Sequence, residues 1–285
     1  MAGPDFPSCP VIIPYYGGKF ELSRRLVPML PPHERYIETF AGGLSMFFRK
    51  KKTVWNVVND IDNDIVNLYI TILDRFEEFS ENVYWIPRGR ELYTRFKAEI
   101  MAGKVIDIPD PKRASHYYFL IRNSFNKNPY GVFSKTPKPE WRQKLLEELK
   151  YSRKYFEGTT IENLDFRTLF KKYPPRPYDC WYFDPPYVVA GERGDYYMHH
   201  FDWDMHSGLR EVCDAINEVG GKFMVSYDNR DEIRNMYKDY NVHDIQTKYA
   251  GAKSARSKIF TELVIMNYKP PSVQESLWKG VENGR

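Results

Sequence analysis

The chain has 285 residues, of which 42% are hydrophobic and 28% are charged, with a net charge of +4. At about 100 to 200 residues per domain this length allows one large domain or one domain with an insertion, and the composition excludes fibrous and disordered proteins. No segment reaches the ~18 apolar residues of a membrane span, and residues 1–10 contain no basic signal-peptide region. We therefore expect a cytoplasmic protein with no membrane partner.

Cysteine and aromatic content narrow the class further. Cys9, Cys180 and Cys213 are odd in number and widely spaced, a pattern that predicts neither a disulfide framework nor a paired-cysteine metal site. Aromatic residues make up 16% of the chain and include 22 tyrosines. This is more than an ordinary core requires, and we expect a planar group to be bound.

The first 85 residues alternate between strand and helix patterns. Such alternation predicts a parallel sheet with helical crossovers. The predicted elements, in chain order, are a helix over Glu21–Leu30, a strand over Arg35–Phe40, a tight turn over Ala41–Gly43, a helix over Leu44–Lys50, a strand over Val54–Asn59 and a helix over Ile65–Phe79.

Residues 86–156 have a different pattern, with three predicted helices around a stretch rich in Pro, Gly and Asn. Residues 86–160 contain 16 Lys and Arg against 8 Asp and Glu, interleaved with aromatic residues. Basic and aromatic side chains together favour phosphate neutralisation and base stacking, although a solvated helical face is the alternative. The predicted helices are Glu91–Met101, Lys112–Arg122 and Glu140–Phe156.

The α/β pattern returns after residue 157. Its last two strands, joined across residues 248–257, predict an antiparallel hairpin at the edge of the sheet. The predicted strands are Thr159–Asn163, Cys180–Phe183, Lys222–Tyr227, Tyr240–Thr247 and Phe260–Tyr268, and the predicted helices are Met205–Val219 and Asp231–Lys238.

The sequence Asp184-Pro185-Pro186-Tyr187 follows one of these strands directly. Ligands of open α/β sheets bind outside the carboxyl ends of strands. Two prolines stiffen the turn, so that the Asp184 carboxylate and the Pro185 carbonyl can be aimed at one point. Two acceptors suit an exocyclic amino group, and Tyr187 offers a ring face to a base. The alternative is an acidic turn in which the prolines only end the strand.

The order of these motifs resembles that of the Dam-type (D12-class, alpha group) N6-adenine-specific DNA methyltransferases over about residues 11–270. The resemblance implies methyl transfer from S-adenosyl-L-methionine (SAM) to N6 of a flipped adenine in double-stranded DNA, with S-adenosyl-L-homocysteine as product and no metal. It makes Asp184, Pro185, Pro186 and Tyr187 the catalytic motif. Aspartate at its first position, in place of serine, indicates adenine N6 rather than cytosine N4.

The resemblance also implies a fold and its division. Residues 11–85 and 157–270 would form a Rossmann-like, SAM-dependent methyltransferase sheet, mostly parallel with an antiparallel C-terminal hairpin. Residues 86–156 would form an inserted, mainly helical DNA-recognition domain, and residues 271–285 a C-terminal tail. We expect a monomer or a weak dimer.

The family resemblance assigns the cofactor residues. The segment 38–44 looks like the family's strand and glycine turn, where glycines allow a close backbone approach to SAM. Asp60 suits the ribose hydroxyls, and Lys19 would lie near the methionine end. The alternatives are that Lys19 is an ordinary surface lysine and that Asp165 is a plain helix N-cap. The predicted SAM contacts are Tyr15, Tyr16, Lys19, Glu38, Phe40, Ala41, Gly42, Gly43, Asp60, Ile61, Asp165, Phe166 and Asp184.

Residues 118–126 resemble the family's target-recognition segment. Phe125 would wedge or stack where the adenine leaves, with a core aromatic as the alternative, and Asn126 would contact the opened strand. Tyr130 stands where GATC-specific members have an arginine that reads guanine, so GATC specificity is not supported. The predicted DNA contacts in and near this segment are Arg122, Asn123, Ser124, Phe125, Asn126, Tyr130 and Lys135. A second set, Lys253, Arg256 and Lys258, lies in a loop without acidic residues that would contact phosphates.

Two other functions are compatible with the sequence alone. The same fold would serve to methylate adenine in RNA, or another amine, and a relative without catalysis would still bind DNA. The recognition sequence and the biological role, whether restriction-modification, phage DNA modification or host regulation, are not encoded in any motif we identify.

Overall fold

The structure is a computed structural model that describes residues 13, 19–103, 107–136, 143–188, 201–248 and 259–271. The strands are β1 (Arg35–Glu38), β2 (Trp55–Asn59), β3 (Thr159–Glu162), β4 (Asp179–Phe183), β5 (Lys222–Asp228), β6 (Asn241–Lys248) and β7 (Ile259–Met266). The α-helices are α1 (Phe20–Leu26), α2 (Asn63–Asp74), α3 (Phe76–Trp85), α4 (Arg90–Ala102), α5 (Pro111–Asn123), α6 (Gln143–Phe156), α7 (Phe166–Lys172), α8 (Trp203–Glu218) and α9 (Asp231–Met236). Two short 3₁₀ helices cover Val27–Met29 and Phe125–Lys127.

The seven strands form one sheet in the order β3-β2-β1-β4-β5-β7-β6. The strands from β3 to β5 pair in parallel, and β7 is antiparallel to both β5 and β6. In doubly wound sheets with the order 3-2-1-4-5 the ligand crevice lies at the carboxyl edge where the order reverses, here between β1 and β4. The predicted Rossmann-like sheet and its C-terminal antiparallel hairpin are confirmed.

The central strands are buried on both faces, because helices cover the sheet from either side. Every residue of β1 and β4 is buried, as the near-continuous apolar runs of parallel strands require. One core cluster contains Tyr36, Val58 and Tyr182, and the other contains Ile37 and Trp181. Alternate residues of each strand therefore serve opposite layers.

Aspartate side chains begin four of the helices. An Asp at this position accepts a hydrogen bond from a backbone N–H of the first turn, which otherwise has no partner. In α5 the aspartate precedes Pro111, whose fixed φ also suits a helix start. These N-cap residues are Asp62 for α2, Asp110 for α5, Asp165 for α7 and Asp202 for α8.

The helices between residues 90 and 156 pack on the same side of the sheet as α2 and α3. Helix α5 contacts α2, α3 and α4, and α6 contacts α2 and α3. Tyr117, Tyr118 and Phe119 on α5 are fully buried and belong to the core cluster of Tyr36 and Val58. This part of the chain therefore shares its core with the sheet, and the boundaries 86 and 156 stay a prediction.

Three local predictions differ from the structure. Residues 44–50 form successive turns instead of a helix: Leu44 has a φ of +53°, and Met46, Phe47 and Phe48 are all buried. A positive φ lies outside the right-handed helical region, so a regular helix does not include Leu44. The helix predicted over residues 65–79 is two helices, because Arg75 leaves the helical conformation. Helix α7 was expected only under the alternative in which Asp165 is a helix N-cap.

Our first prediction concerns the ion pair that joins β1 to β4 at their amino ends. Arg35 Nε donates to Asp179 Oδ1 at 2.8 Å, Nη2 donates to Oδ2, and both side chains are buried. Asp179→Ala strands a buried guanidinium, so we expect the free energy of unfolding to fall by about 3–5 kcal/mol in urea titrations.

The control for this prediction is Arg24→Ala, which removes an exposed partner of Glu21 at 3.7 Å. Exposed pairs contribute below about 1 kcal/mol. Equal losses in the two variants would contradict a structural role for the Arg35–Asp179 pair.

Candidate active site

The Asp184 carboxylate stands at the carboxyl end of β4, beside two side chains from other elements. Lys19 Nζ, just before α1, lies 3.1 Å from Asp184 Oδ1, and Ser226 Oγ on β5 donates to the same oxygen at 2.9 Å. Ser226 Oγ is also 3.0 Å from the Tyr182 hydroxyl. The carboxylate is 21% exposed. No described residue donates a hydrogen bond to the other oxygen, Oδ2.

Tyr187 and Lys19 form the second part of this cluster. The Lys19 ammonium lies 4.3 Å from the centre of the Tyr187 ring and donates to its hydroxyl. The Tyr187 hydroxyl donates in turn to Glu262 Oε2 on β7 at 2.8 Å, and Lys19 Nζ is 3.5 Å from that oxygen. The structure thus brings together Lys19, Asp184 and Tyr187, which the sequence distributes over 168 positions.

Burial and charge act in opposite directions on Asp184. Burial, the largest effect, raises the pKa of its carboxyl above the usual value, and the Glu262 charge raises this pKa further. The Lys19 ammonium and the Ser226 hydrogen bond lower it. Loss of Lys19 would therefore favour the protonated form of Asp184, in which one oxygen becomes a donor.

The glycine turn follows β1 and meets the end of β2. Thr39 N donates to the Tyr182 carbonyl at 3.1 Å, which places the turn directly beside Asp184 in the sheet. Gly42, with a φ of +45° that favours glycine, donates its N–H to Asp60 Oδ2 at 2.8 Å. Burial, with a smaller contribution from Asp62, raises the pKa of Asp60 to about 7.

Glu38 is the most deeply buried carboxyl group at this edge that the sequence predicted. It is 2% exposed and accepts a hydrogen bond from the Tyr36 hydroxyl at 2.8 Å. Burial raises its pKa to about 8, although the Tyr36 hydrogen bond and the Lys50 charge lower it. Burial of a carboxyl group costs free energy, and a cationic ligand that binds beside it offsets part of this cost.

Asp165 and Phe166 lie after β3, as predicted, and both have structural partners. Asp165 Oδ1 accepts from Arg167 N at 2.9 Å as the N-cap of α7, which is the alternative that its sequence context allowed. Phe166 is buried against Phe40 and Phe201, with ring centres about 6 Å apart. Contact of these residues with a cofactor stays a prediction.

The groups at this edge fit the chemistry of SAM. Carboxylates at the ends of β1, β2 and β4 suit its ribose hydroxyls and its positive ammonium and sulfonium groups. Among the described residues, Thr39 Oγ1 is buried at the end of β1 without a hydrogen-bond partner. Such an atom in a native site calls for a ligand or water to satisfy it.

The predicted DNA-contacting segment forms a short hairpin after α5. Phe125 N donates to the Val132 carbonyl at 2.7 Å, and Ser134 N donates to the Asn123 carbonyl at 2.7 Å. Phe125 is 58% exposed, which excludes a core role for its ring in this structure, and Val132 beside it is 67% exposed. We call residues 123–134 the recognition hairpin.

Other predicted contacts of the recognition hairpin are engaged within the protein. Asn123 and Ser124 are buried, and their side chains bond to the carbonyls of Phe119 and Ile121. The Tyr130 hydroxyl donates to Asp62 Oδ2 at 3.1 Å. Lys135 is exposed and Arg122 half-buried. Contact of these residues with DNA stays a prediction.

The Tyr130 hydrogen bond continues to the glycine turn. Asp62 accepts from Tyr130, its own N–H donates to Asp60 Oδ1 at 2.9 Å, and Asp60 Oδ2 accepts from Gly42 N. Tyr117 on α5 reaches the same Asp62 oxygen at 3.3 Å. The recognition hairpin is thereby connected to the predicted cofactor edge through consecutive hydrogen bonds.

Arg88 attaches the recognition hairpin to the helices. Its Nε donates to Asn123 Oδ1 at 3.0 Å, and its Nη2 donates to the carbonyls of Ser134 and Thr136. The guanidinium lies 4.5 Å from the centre of the Phe133 ring. The sequence analysis did not single out Arg88, because nothing in a lone arginine before a helix indicates three oxygen partners.

Ser226 and Glu262 were also missed. Each interrupts an otherwise apolar strand, β5 or β7, and such an interruption at a buried position was the available signal. Five predicted contacts, Tyr15, Tyr16, Lys253, Arg256 and Lys258, lie outside the described residues, and for Asn126 only the backbone is described.

The described residues contain neither a candidate metal site nor a candidate membrane-spanning helix. No group of three or more His, Cys, Asp and Glu side chains there is arranged to hold a metal ion. No helix in the same part of the chain has the length and apolar character needed to cross a membrane.

Residues 15–250 match the family of D12 class N6 adenine-specific DNA methyltransferases. The chain belongs to this family. It is 27% identical over 272 residues to the type II methyltransferase M1.LlaDCHI of Lactococcus lactis subsp. cremoris, covering 88% of this chain and 93% of the relative. It is 26% identical to the retron Ec67 DNA adenine methylase of Escherichia coli, with 90% of each covered, and 20% identical to an Escherichia coli DNA adenine methylase, with 89% and 93% covered.

This membership confirms the predicted family and the predicted activity. The protein is an adenine-specific DNA methyltransferase, and enzymes of this class use SAM as methyl donor. DNA is accordingly its substrate. The roles of individual residues are a separate matter, for which the geometry above is the basis.

Our second prediction follows from the raised pKa of Glu38. The folded state holds this proton up to about pH 8, whereas the unfolded chain releases it near pH 4.3. Between those values the folded state binds more protons, so stability falls as pH rises, by up to about 1.4 kcal/mol per pH unit. Glu38→Gln should remove this slope and be more stable than the parent at about pH 7.5.

Urea unfolding at about pH 5.5 and about pH 7.5 measures the change. Glu34→Gln, which alters an exposed carboxyl next to the same strand, is the matched control. A Glu38→Gln variant whose stability difference from the parent is equal at both pH values would contradict burial of a protonated Glu38.

Proposed function

We propose that this methyltransferase acts on adenine rotated out of duplex DNA, with Asp184, Pro185 and Tyr187 holding the target base. The observation that carries the proposal is the Asp184 carboxylate, whose Oδ1 is occupied by Lys19 and Ser226 while Oδ2 has no donor among the described residues. An acceptor oxygen at the carboxyl end of a central strand is available to a ligand amino group.

The reaction at the target base depends on hydrogen bonds to its amino group. N6 of adenine has two protons, and Asp184 Oδ2 and the Pro185 carbonyl are the two acceptors. These bonds move the nitrogen lone pair out of conjugation with the ring, so that it can attack a methyl group. Positive charge develops on N6 during the transfer, and the neighbouring carboxylate stabilises it. The Tyr187 ring stacks on the base and fixes its orientation.

The cofactor side is assigned to the edge formed by β1, β2 and β3. Asp60 would bind the ribose hydroxyls of SAM. Glu38 and the glycine turn would bind its methionine portion, and Phe166 would pack on its adenine ring. When bound, SAM supplies a methyl group on a positively charged sulfur that is already an activated donor. The protein therefore has to align two substrates and exclude water.

We also propose that residues 86–156 form the target-recognition domain. The recognition hairpin presents an exposed apolar pair, Phe125 and Val132, next to the basic side chains of Arg122, Lys127 and Lys135. An apolar wedge unstacks a base step, and the cations neutralise nearby phosphates. Arg88 donates hydrogen bonds to Asn123 and to the Thr136 carbonyl, on either side of the exposed pair. These bonds would fix the orientation of the hairpin and of its apolar wedge.

Our third prediction tests the catalytic assignment. Asp184→Ala removes the acceptor of the N6 proton, so methylation of unmethylated genomic DNA should fall by about 100-fold to 1000-fold. The SAM dissociation constant, from calorimetry, should change by less than about threefold, because the proposal gives Asp184 its main role at the target base. The product is N6-methyldeoxyadenosine, quantified by mass spectrometry of nucleoside digests.

Asp239→Asn, at an exposed carboxylate, is the control for this assay and should retain the parent rate. Full activity of Asp184→Ala would disprove the catalytic assignment, and absence of N6-methyldeoxyadenosine from the parent reaction would disprove the proposed transfer.

Our fourth prediction concerns the wedge. Stacking of a base on an aromatic side chain contributes about 1–3 kcal/mol, so Phe125→Ala should lower kcat/KM for DNA by about tenfold. Tyr178→Ala is the matched control, because Tyr178 is 67% exposed at the amino end of β4, on the opposite edge of the sheet. Equal rates for the two variants would contradict a wedge role for Phe125.

A further inference from the structure

Glu262 is a buried carboxylate in the middle of an apolar strand. It is 3% exposed, and Leu263, Val264, Ile265 and Met266 after it are fully buried. In the sheet it lies opposite Asp228 of β5. Burial of a carboxylate costs several kcal/mol unless charges and hydrogen bonds offset it. A residue of this kind in β7 therefore needs partners, and two of them, Tyr187 and Lys19, belong to the candidate active site.

Two of its partners adjoin Asp184. Glu262 Oε2 accepts from the Tyr187 hydroxyl at 2.8 Å and lies 3.5 Å from Lys19 Nζ. Lys19 in turn donates to the Tyr187 hydroxyl and lies 3.1 Å from Asp184 Oδ1. The Tyr187 hydroxyl is consequently fixed from both sides, by a donor and by an acceptor.

The difference in exposure separates the two carboxylates. Asp184 is 21% exposed, toward the site, whereas the Glu262 side chain is 3% exposed, behind Tyr187 and Lys19. Asp184 is thus the more accessible of the two carboxylates. Glu262 is placed to determine where the Tyr187 ring and the Lys19 ammonium lie.

We propose that Glu262 is a positioning residue for methyl transfer, which acts by holding the Tyr187 hydroxyl and Lys19 and, through them, the ring and the carboxylate that orient adenine N6. This inference rests on the roles proposed for Asp184 and Tyr187. It adds β7, the antiparallel strand of the sheet, to the elements that build the reaction site.

Our fifth prediction is that Glu262→Leu lowers the single-turnover rate of methyl transfer by at least about tenfold. Leucine has a similar volume, but it leaves buried Lys19 with one carboxylate instead of two, and removal of one partner of a buried charge pair is destabilising. The melting temperature should therefore fall, and the rates are compared at a temperature at which both proteins are folded. The dissociation constants for SAM and for unmethylated genomic DNA should stay within about threefold, because the effect is on alignment.

A double-mutant cycle with Tyr187→Phe shows whether Glu262 acts through the hydroxyl. Tyr187→Phe keeps the ring and should reproduce most of the loss, and in that background Glu262→Leu should cost less than about threefold more. Glu262→Gln keeps an acceptor oxygen at the same reach and should recover part of the rate. Asp214→Leu is the control, because Asp214 on α8 accepts in a similar way from the Tyr240 hydroxyl and from Arg210, away from the carboxyl edge of the sheet.

Three results would overturn the proposal: a Glu262→Leu rate within twofold of the parent, an equal loss in both backgrounds of the cycle, or a Glu262→Gln rate no higher than that of Glu262→Leu. If Glu262→Leu fails to fold, Tyr187→Phe decides alone, and a rate within twofold of the parent contradicts the role. The Asp184→Ala variant in the same assay tests the proposed function separately, so a failure confined to Glu262 is recognised as such.

Discussion

The contact between the Lys19 ammonium and two carboxylates is the interaction on which the site depends. Asp184 and Glu262 come from different strands and would repel each other in a buried environment, and one cation between them offsets that repulsion. Lys19 also touches the Tyr187 ring and hydroxyl. Lys19, just before α1, therefore favours the ionised form of Asp184 and contacts the aromatic residue of the same turn.

The sheet explains why these groups meet. Parallel strands place their carboxyl ends at one edge, so the turns after β1, β2 and β4 lie together although long helical segments separate them in the chain. β5 contributes Ser226 and antiparallel β7 contributes Glu262, which enters the site from the opposite chain direction. The edge collects acceptors, and this suits a positively charged cofactor and a target amino group.

The helical segment between residues 86 and 156 is joined to that edge by specific contacts. Arg88 binds the recognition hairpin from the side of α4, and Tyr130 binds Asp62, whose backbone N–H holds Asp60. The described part of this segment also shares a hydrophobic core with α2 and α3. The recognition hairpin and the predicted cofactor edge are thus connected through neighbouring residues of one loop, 60–62.

The sequence by itself determined the α/β class, the strand pattern, the family and the Asp184 turn, because periodicity and short motifs are local properties. Local signals also predicted a helix over residues 44–50. The structure has successive turns there instead, and Met46, Phe47 and Phe48 are buried. Only the tertiary structure decided that Phe125 is exposed, that Tyr130 bonds to Asp62, and that Arg88, Ser226 and Glu262 support the site. These roles depend on contacts between residues far apart in the chain, and a single sequence contains no distance between them.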